Sequence, residues 1–358
     1  MSNLDRLREK MAAENFSAVL ISDETNLGWL TGFTGSFGRA IVTAEQARFV
    51  TDSRYTLQAA EEVPSMEVVT FASPKDGDEF LAEQIKSLGI HVLGFESGII
   101  THAAWERWQT KFNPIELKSM GAIMTDLRLV KSPSEVELMR KSCQLADACF
   151  DHVKRLIQPG VTEFDISLDI EFFLRRNGAQ IGFSPIVVSG ERSARPHGTP
   201  SEKKLEVGDF VTMDFGGTLN GYNSDITRTV VVGHASDRHR EVYDLVLRAQ
   251  LAALESMRPA VSASDVDKVA RDILATKDLA KFFGHGLGHG LGMKVHDGGR
   301  LGPGSPTILA PGQVWTVEPG VYIPGFGGVR IEDDVVVTES GIEILTKTPK
   351  ELLILPSA

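Results

Sequence analysis

Four acids stand in two matched pairs in the second part of this 358-residue chain. In GDFVTMDFG (208–216) the acid is Asp214; in GQVWTVEPG (312–320), 104 residues on, it is Glu318, with Gly, Thr, acid and Gly in register. A second acid follows each after a turn, Asp225 in NSDITRTVVV and Glu332 in VRIEDDVVV, just ahead of a triple valine that reads as a strand. One acid in an apolar strand is most often an edge residue or a salt-bridged core charge. Four need four cations, and only Arg228 and Arg330 lie near them in sequence. An unpaired buried carboxylate costs several kcal/mol, too much for a net stability of about 5–15 kcal/mol. Two divalent cations would neutralise all four, and oxygen-rich ligation joined by an imidazole suits Mn(II), Co(II), Zn(II) or Fe(II).

Imidazoles lie between the acid pairs. FFGHGLGHGLGMKVHDGG carries His285, His289 and His296, three of the nine histidines within twelve residues, among glycines that let backbone approach a metal or substrate closely. A lone histidine is usually a satisfied core or surface residue; three clustered here point to function.

Such groups work only if the chain brings them together, and a weak internal repeat supplies the means. PGVTEFDI (159–166) matches PAVSASDV (259–266) at an offset of 100. In each, Pro closes a long helix and Thr162 or Ser262 caps a shorter one, with Asp165 or Asp265 three residues later. Each half thus contributes a long helix, a short helix and a strand pair. Packed about a pseudo-twofold axis, the halves would converge the four acids on a central sheet. Ser132, Pro133 and Glu135 form a capping box with proline at the first helical position, opening a helix to about Ile157. Before it, SAVLI, GRAIVT, ARFVT, MEVVTF and HVLGF alternate with polar helical stretches, the pattern of an α/β domain. The boundary falls near residue 128, giving domains 1–128 and 129–358.

Charge narrows the partners. Lys plus Arg is 37 against 48 for Asp plus Glu, a net charge of −11 with no basic stripe, which excludes a nucleic-acid partner. The opening MSNLDRLREKMAAENFS places Leu4, Leu7 and Met11 on one face of a charged helix and contains no apolar signal core. No later stretch reaches the roughly 18 apolar residues of a membrane span, so a cytoplasmic protein is expected. Cys143 and Cys149, six apart on a helix, diverge by about 120° and suit neither a disulfide nor a zinc knuckle.

MDFG, SDITRT, GHGLGHGLGMKVH, TVEPG and VRIED occur in the order found in the dinuclear metallopeptidases of the pita-bread fold, which include methionine aminopeptidase, aminopeptidase P and prolidase. The chain resembles that family from about residue 130 to its end. LGWLTGFTGSFGRAIVT followed by TDSRYTLQA resembles the creatinase-like N-terminal domain of the proline-directed members. The resemblance implies an α/β (α+β) protein, a creatinase-like domain followed by a pita-bread domain with pseudo-twofold symmetry. It implies metal ligands Asp214, Asp225, His289, Glu318 and Glu332, holding two divalent ions per subunit, Mn first and Co or Zn as alternatives. It further implies a substrate-binding His197 in PHGTPS, with His285 and His296 flanking His289, and a homodimer. Asp225 and Glu332, one from each half, would bridge the ions, which lower the pKa of a bound water from ~15.7 toward about 7. Glu318 would shuttle its proton to the leaving nitrogen. Arg330, two residues before Glu332, is expected to orient the bridging carboxylates.

The activity expected first is an aminopeptidase P releasing the N-terminal residue from peptides with proline second; an Xaa-Pro dipeptidase is the alternative. A metal-free binding protein on the same scaffold is remote, because all five ligands are present. Many prolidases read GHGIGLEVHE where this chain reads GHGLGMKVHD, which places Lys294 and Asp297 near the pocket. A dipeptidase needs a cation for the proline carboxylate, and Arg300 is the nearest candidate.

Overall fold

The five apolar runs before residue 96 all become strands in the computed structural model, which describes residues 1–356. They are β1 (Ala18–Ile21), β2 (Arg39–Thr43), β3 (Ala47–Asp52), β4 (Glu67–Phe71) and β5 (Val92–Phe95). A sixth, β6 (Glu116–Ser119), escapes a hydropathy reading because ELKS holds one apolar residue. The sheet order is β4-β3-β2-β1-β5-β6: β1, β2 and β3 form an antiparallel meander, and β4, β5 and β6 add in parallel. Parallel additions need crossovers. These run through α3 (Thr56–Glu62) into β4 and α5 (His102–Lys111) into β6, with α1 (Asn3–Ala13), α2 (Glu24–Thr31) and α4 (Gly77–Ser87) completing the layers. Ser2 and Asp5 form a capping box on α1, whose Leu7 and Met11 are buried. Leu20, Ile41, Val50, Ile85 and Trp108 share one apolar cluster.

The chain divides into two compact units, Met1–Leu127 and Arg128–Ala358, with α6 (Ile123–Leu129) running across the division. In the second unit Ser132 and Glu135 cap α7 (Pro133–Val153), and Thr162 and Asp165 cap α8 (Glu163–Arg176). α9 (Asp237–Ser256) and α10 (Ala263–Ala275), with Ser262 at its N-cap, repeat the long-short pairing. The repeat extends to the backbone. Gly160 and Ala260 both take positive φ, 90° and 66°, and their N–H groups donate to Leu205 and Leu309 carbonyls at the same 2.9 Å. Leu205 and Leu309 in turn donate to the carbonyls of Val161 and Val261.

The first half of this unit contains β7 (Gln180–Ile181), β8 (Ile186–Ser189), β9 (Phe210–Phe215), β10 (Gly217–Leu219), β11 (Tyr222–Asn223) and β12 (Ile226–Val232). The second contains β13 (Gly288–His289), β14 (Arg300–Leu301), β15 (Val314–Val317), β16 (Gly320–Ile323), β17 (Gly327–Arg330), β18 (Asp333–Val337) and β19 (Ile342–Ile344), with β20 (Ile354–Leu355) after them. β9 pairs antiparallel with β12, and β15 with β18, so the two strand pairs of the repeat are both formed. Threonines stitch the halves: Thr229 Oγ1 donates to the Arg330 carbonyl (3.0 Å), Thr212 Oγ1 donates to that of Gly328 (3.2 Å), and Glu332 N donates to the Thr227 carbonyl (3.1 Å). Cys143 and Cys149 are buried free thiols on α7. No helix among the described residues is long and apolar enough to cross a membrane.

Candidate metal centre

Strand ends deliver the acids. Asp214 lies in β9, Asp225 immediately ahead of β12, Glu318 immediately after β15 and Glu332 immediately ahead of β18. β13 brings His289 alongside, opposite Arg300 of β14. Ligand atoms of Asp225, His289 and Glu332 fall within 4.8 Å of one another. His289 Nε2 stands 3.7 Å from Asp225 Oδ2 and 3.5 Å from Glu318 Oε1. Two cavities meet here, of about 370 and 400 Å³; His197, Asp214, His289, His296 and Glu318 line both. His285, Arg300 and Arg330 line the first, and Asp225 and Glu332 the second. The five expected ligands, together with His197, His285, His296, Arg300 and Arg330, therefore reach this one place.

The charge imbalance inferred from the sequence is real. Arg228 is spent elsewhere: its guanidinium pairs with Asp333 (2.8 Å) and donates to the Thr348 and Pro349 carbonyls. Arg330 remains, and it reaches the acids in a way the sequence did not suggest. One terminal nitrogen donates to Asp214 Oδ2 (2.5 Å), while Nε donates to Thr227 Oγ1 (3.0 Å), which itself donates to Glu332 Oε2 (2.6 Å). Its direct carboxylate partner is thus Asp214, and it touches Glu332 only through a threonine.

Burial first, then repulsion from Glu332 and Asp214, raises Asp225 well above the usual carboxylate range; burial and the Glu318 charge do the same to Glu332. Glu318 is pushed up to about 8 by burial, with Asp214 adding and Arg330 opposing. Burial takes His285 and His289 down to about 4, helped by Arg330 beside the first and His296 beside the second. Both imidazoles are neutral near pH 7, as a metal ligand must be.

Tyr322 of β16 was not legible as a site residue, since a lone tyrosine in a strand reads as core. It accepts a hydrogen bond from Arg330 (2.7 Å), and its hydroxyl lies 2.9 Å from His285 Nε2, linking that imidazole to the Asp214 pair. Asp297, expected near the pocket, is buried away from it: Oδ1 accepts from the Arg128 guanidinium and Oδ2 from the Met293 N–H.

The donors suit divalent cations on structural grounds. Asp214 Oδ1 and Asp225 Oδ1 are buried and accept no hydrogen bond among the described residues. Four acids, a neutral imidazole and one guanidinium leave negative charge that a hard or borderline cation would compensate.

A model of metallopeptidase family M24 matches residues 137–339, and one of the creatinase/prolidase N-terminal domain matches residues 3–130. The chain is a member of metallopeptidase family M24. Relatives of this M24 hydrolase include an Xaa-Pro dipeptidase of Pyrococcus furiosus, 37% identical over 98% of this chain and 99% of that protein. Among solved structures, an Xaa-Pro dipeptidase from Bacillus anthracis is 41% identical with a TM-score of 0.95, covering 99% of each chain. An X-Pro aminopeptidase from Thermotoga maritima is 34% identical with a TM-score of 0.91, covering 97% of this chain and 99% of that one.

One glycine of this M24 centre leaves no room for change. A Cβ on Gly288 would overlap the Thr316 carbonyl oxygen and crowd Thr316 Oγ1 (2.8 Å), forcing β13 off β15 and His289 with it. Gly288→Ala should lower kcat/KM by about 100-fold, the effect of a displacement near 1 Å, and cost about 1–3 kcal/mol of stability. Peptide kinetics and thermal melting check both.

Proposed function

We propose that this protein is an Xaa-Pro dipeptidase holding two divalent ions with Asp214, Asp225, His289, Glu318 and Glu332, Mn(II) first among Mn(II), Co(II) and Zn(II). This reverses the order of the two activities expected from the sequence. The carrying observation is Arg300, which shares a cavity wall with His285, Arg330 and Glu318. It donates to the Pro303 carbonyl (2.7 Å) and pairs with no carboxylate among the described residues. A guanidinium there matches the free carboxylate of a C-terminal proline, which only a dipeptide places next to the scissile bond. The dipeptidase names of the Pyrococcus furiosus and Bacillus anthracis relatives support the same reading.

Bound ions would supply Lewis acidity and a water made nucleophilic near neutral pH. The chain's own groups supply the rest. An Xaa-Pro bond has no N–H and its nitrogen leaves only as it gains a proton. Glu318, placed beside the attacking water, would take its proton and pass it to that nitrogen. Neutral His285 and the neighbouring His197 and His296 face the scissile carbonyl and stabilise the oxygen as negative charge develops. Arg330 fixes the Asp214 carboxylate and, through Tyr322, the His285 ring.

Ala-Pro and Ala-Pro-Ala separate the two activities. The dipeptide should be cleaved and the tripeptide spared. Losing a charge-assisted hydrogen bond of about 1.5–3 kcal/mol, Arg300→Ala should weaken kcat/KM on Ala-Pro by about 10- to 150-fold. Efficient cleavage of Ala-Pro-Ala, with Ala-Pro kinetics indifferent to Arg300→Ala, would instead make the protein an aminopeptidase.

A further inference from the structure

His197 and His285 both sit on irregular backbone, so their aim depends on what holds their segments. Each segment is held by one buried carboxylate on the short helix of its own half. We propose that Glu163 on α8 is a positioning residue for His197, and that the Asp267–Arg271 pair on α10 is one for His285. The inference rests on the reading that these two histidines face the substrate.

Glu163 is fully buried, and its two oxygens tie down both ends of the His197 segment. Oε1 accepts from Ser189 N (2.7 Å) and Ser189 Oγ (2.9 Å); Oε2 accepts from Ser201 N (3.1 Å) and Ser201 Oγ (2.7 Å). Arg192 Nε donates to the same carboxylate (3.0 Å to Oε2), and another of its nitrogens donates to the Thr199 carbonyl (2.7 Å). Residues 189 to 201 are thus drawn into a loop around one charge, with Pro196 and His197 at its inner turn. The Pro196 carbonyl accepts from Arg330 (3.3 Å), which registers the loop against the acids.

The second half solves the same problem with different residues. Asp267 accepts from Arg271 Nε at Oδ2 (2.7 Å) and from Leu287 N at Oδ1 (3.1 Å). Arg271 donates to the Phe283 carbonyl (2.9 Å) and to that of His285 itself. Leu287 passes the constraint on, since its carbonyl accepts from Glu318 N (2.8 Å). In the 100-residue repeat Glu163 corresponds to Ala263 and Asp267 to Ser167, so the carboxylates stand one helical turn apart. The two halves therefore did not merely retain a shared core contact. Each places its own charge where it grips a histidine-bearing segment.

A crossed double-mutant cycle tests this against a role in stability alone. Glu163→Gln and Asp267→Asn are each made alone and with His197→Ala or His285→Ala; Ala-Pro kinetics, bound Mn(II) and circular dichroism are followed. Hydrolysis by the unmodified protein checks the reading beneath the proposal, and the variants check the positioning. Alone, each clamp variant should lose about 10- to 100-fold in kcat/KM with Mn(II) content unchanged. The Glu163→Gln loss should shrink to within about twofold in the His197→Ala background and persist in His285→Ala; Asp267→Asn should show the reverse. Losses that multiply equally in both backgrounds, or that follow loss of Mn(II), overturn the proposal. If either buried variant misfolds, Ser201→Ala and Arg271→Lys, which alter partly exposed partners, carry the same crossed expectation and the same overturning result.

Discussion

Glu332→Gln should leave a folded protein that no longer hydrolyses peptides and yet melts higher than the unmodified protein when both are stripped of metal. The two halves of this expectation share one cause. Glu332 is buried within reach of Asp225 and His289, and repulsion from Glu318 and Asp214 adds to burial in holding its carboxyl far above the usual range. An amide of the same shape can still accept from Thr227 Oγ1, so packing survives while the cost of keeping a buried acid, protonated or charged, among three others disappears. Relief of about 1–2 kcal/mol would raise Tm by about 2–8 °C for a unit of this size. The amide cannot ionise to hold a divalent ion, whose contribution is several kcal/mol at tenfold per 1.36 kcal/mol, so turnover should fall by about 1,000-fold or more. Ala-Pro kinetics, elemental analysis for bound metal and melting in chelator check the three parts. A variant that keeps its metal and its turnover would remove Glu332 from the ligand set.

The metal-free protein should also lose stability as pH rises from about 6.5 to 8. Glu318 ionises near 8 in the fold against an ordinary value of about 4.5, so between those values the native state holds a proton that the unfolded chain has released. Stability then falls with rising pH, and the raised carboxyls of Asp225 and Glu332 act in the same direction. The imidazoles act oppositely lower down. His285 and His289 titrate near 4 in the fold and about 6.5 unfolded, so their contribution grows with pH up to about 6.5 and is then complete. Above 6.5 only the acids act. Melting curves in chelator should shift down between pH 6.5 and 8, and saturating Mn(II) should abolish the shift by favouring the ionised carboxylates. A chelated protein whose Tm is flat over that interval would show that the acids are not crowded as their positions imply.

Much of this centre could be read from the chain because its constraints are local or repeated. Capping at Ser132 and Thr162 is written in three or four consecutive residues, and the matched pairs Asp214 with Glu318 and Asp225 with Glu332 announce themselves by their offset. Three things were not legible, each because it depends on contacts distant in sequence. Tyr322 looks like any strand aromatic until Arg330 and His285 are found on either side of its hydroxyl. Arg228 stands as close to the acids in sequence as Arg330 does, yet the fold gives it to Asp333. Asp297 sits one residue from His296 and still turns to Arg128, 169 residues away. The strand β6 was missed for a simpler reason, because a solvent-facing edge strand needs few apolar residues.

A peptide runs in one direction, and a centre with perfect twofold symmetry could not tell that direction from its reverse. The backbone of residues 128–356 keeps its twofold likeness down to matching carbonyl partners at Gly160 and Ala260, yet the side chains break it. The first half offers two aspartates, the second two glutamates, and His289, Arg300 and Arg330 all come from the second half alone. That inequality gives the pocket a front and a back, so a single bound orientation follows from a framework that, in its main chain, has none.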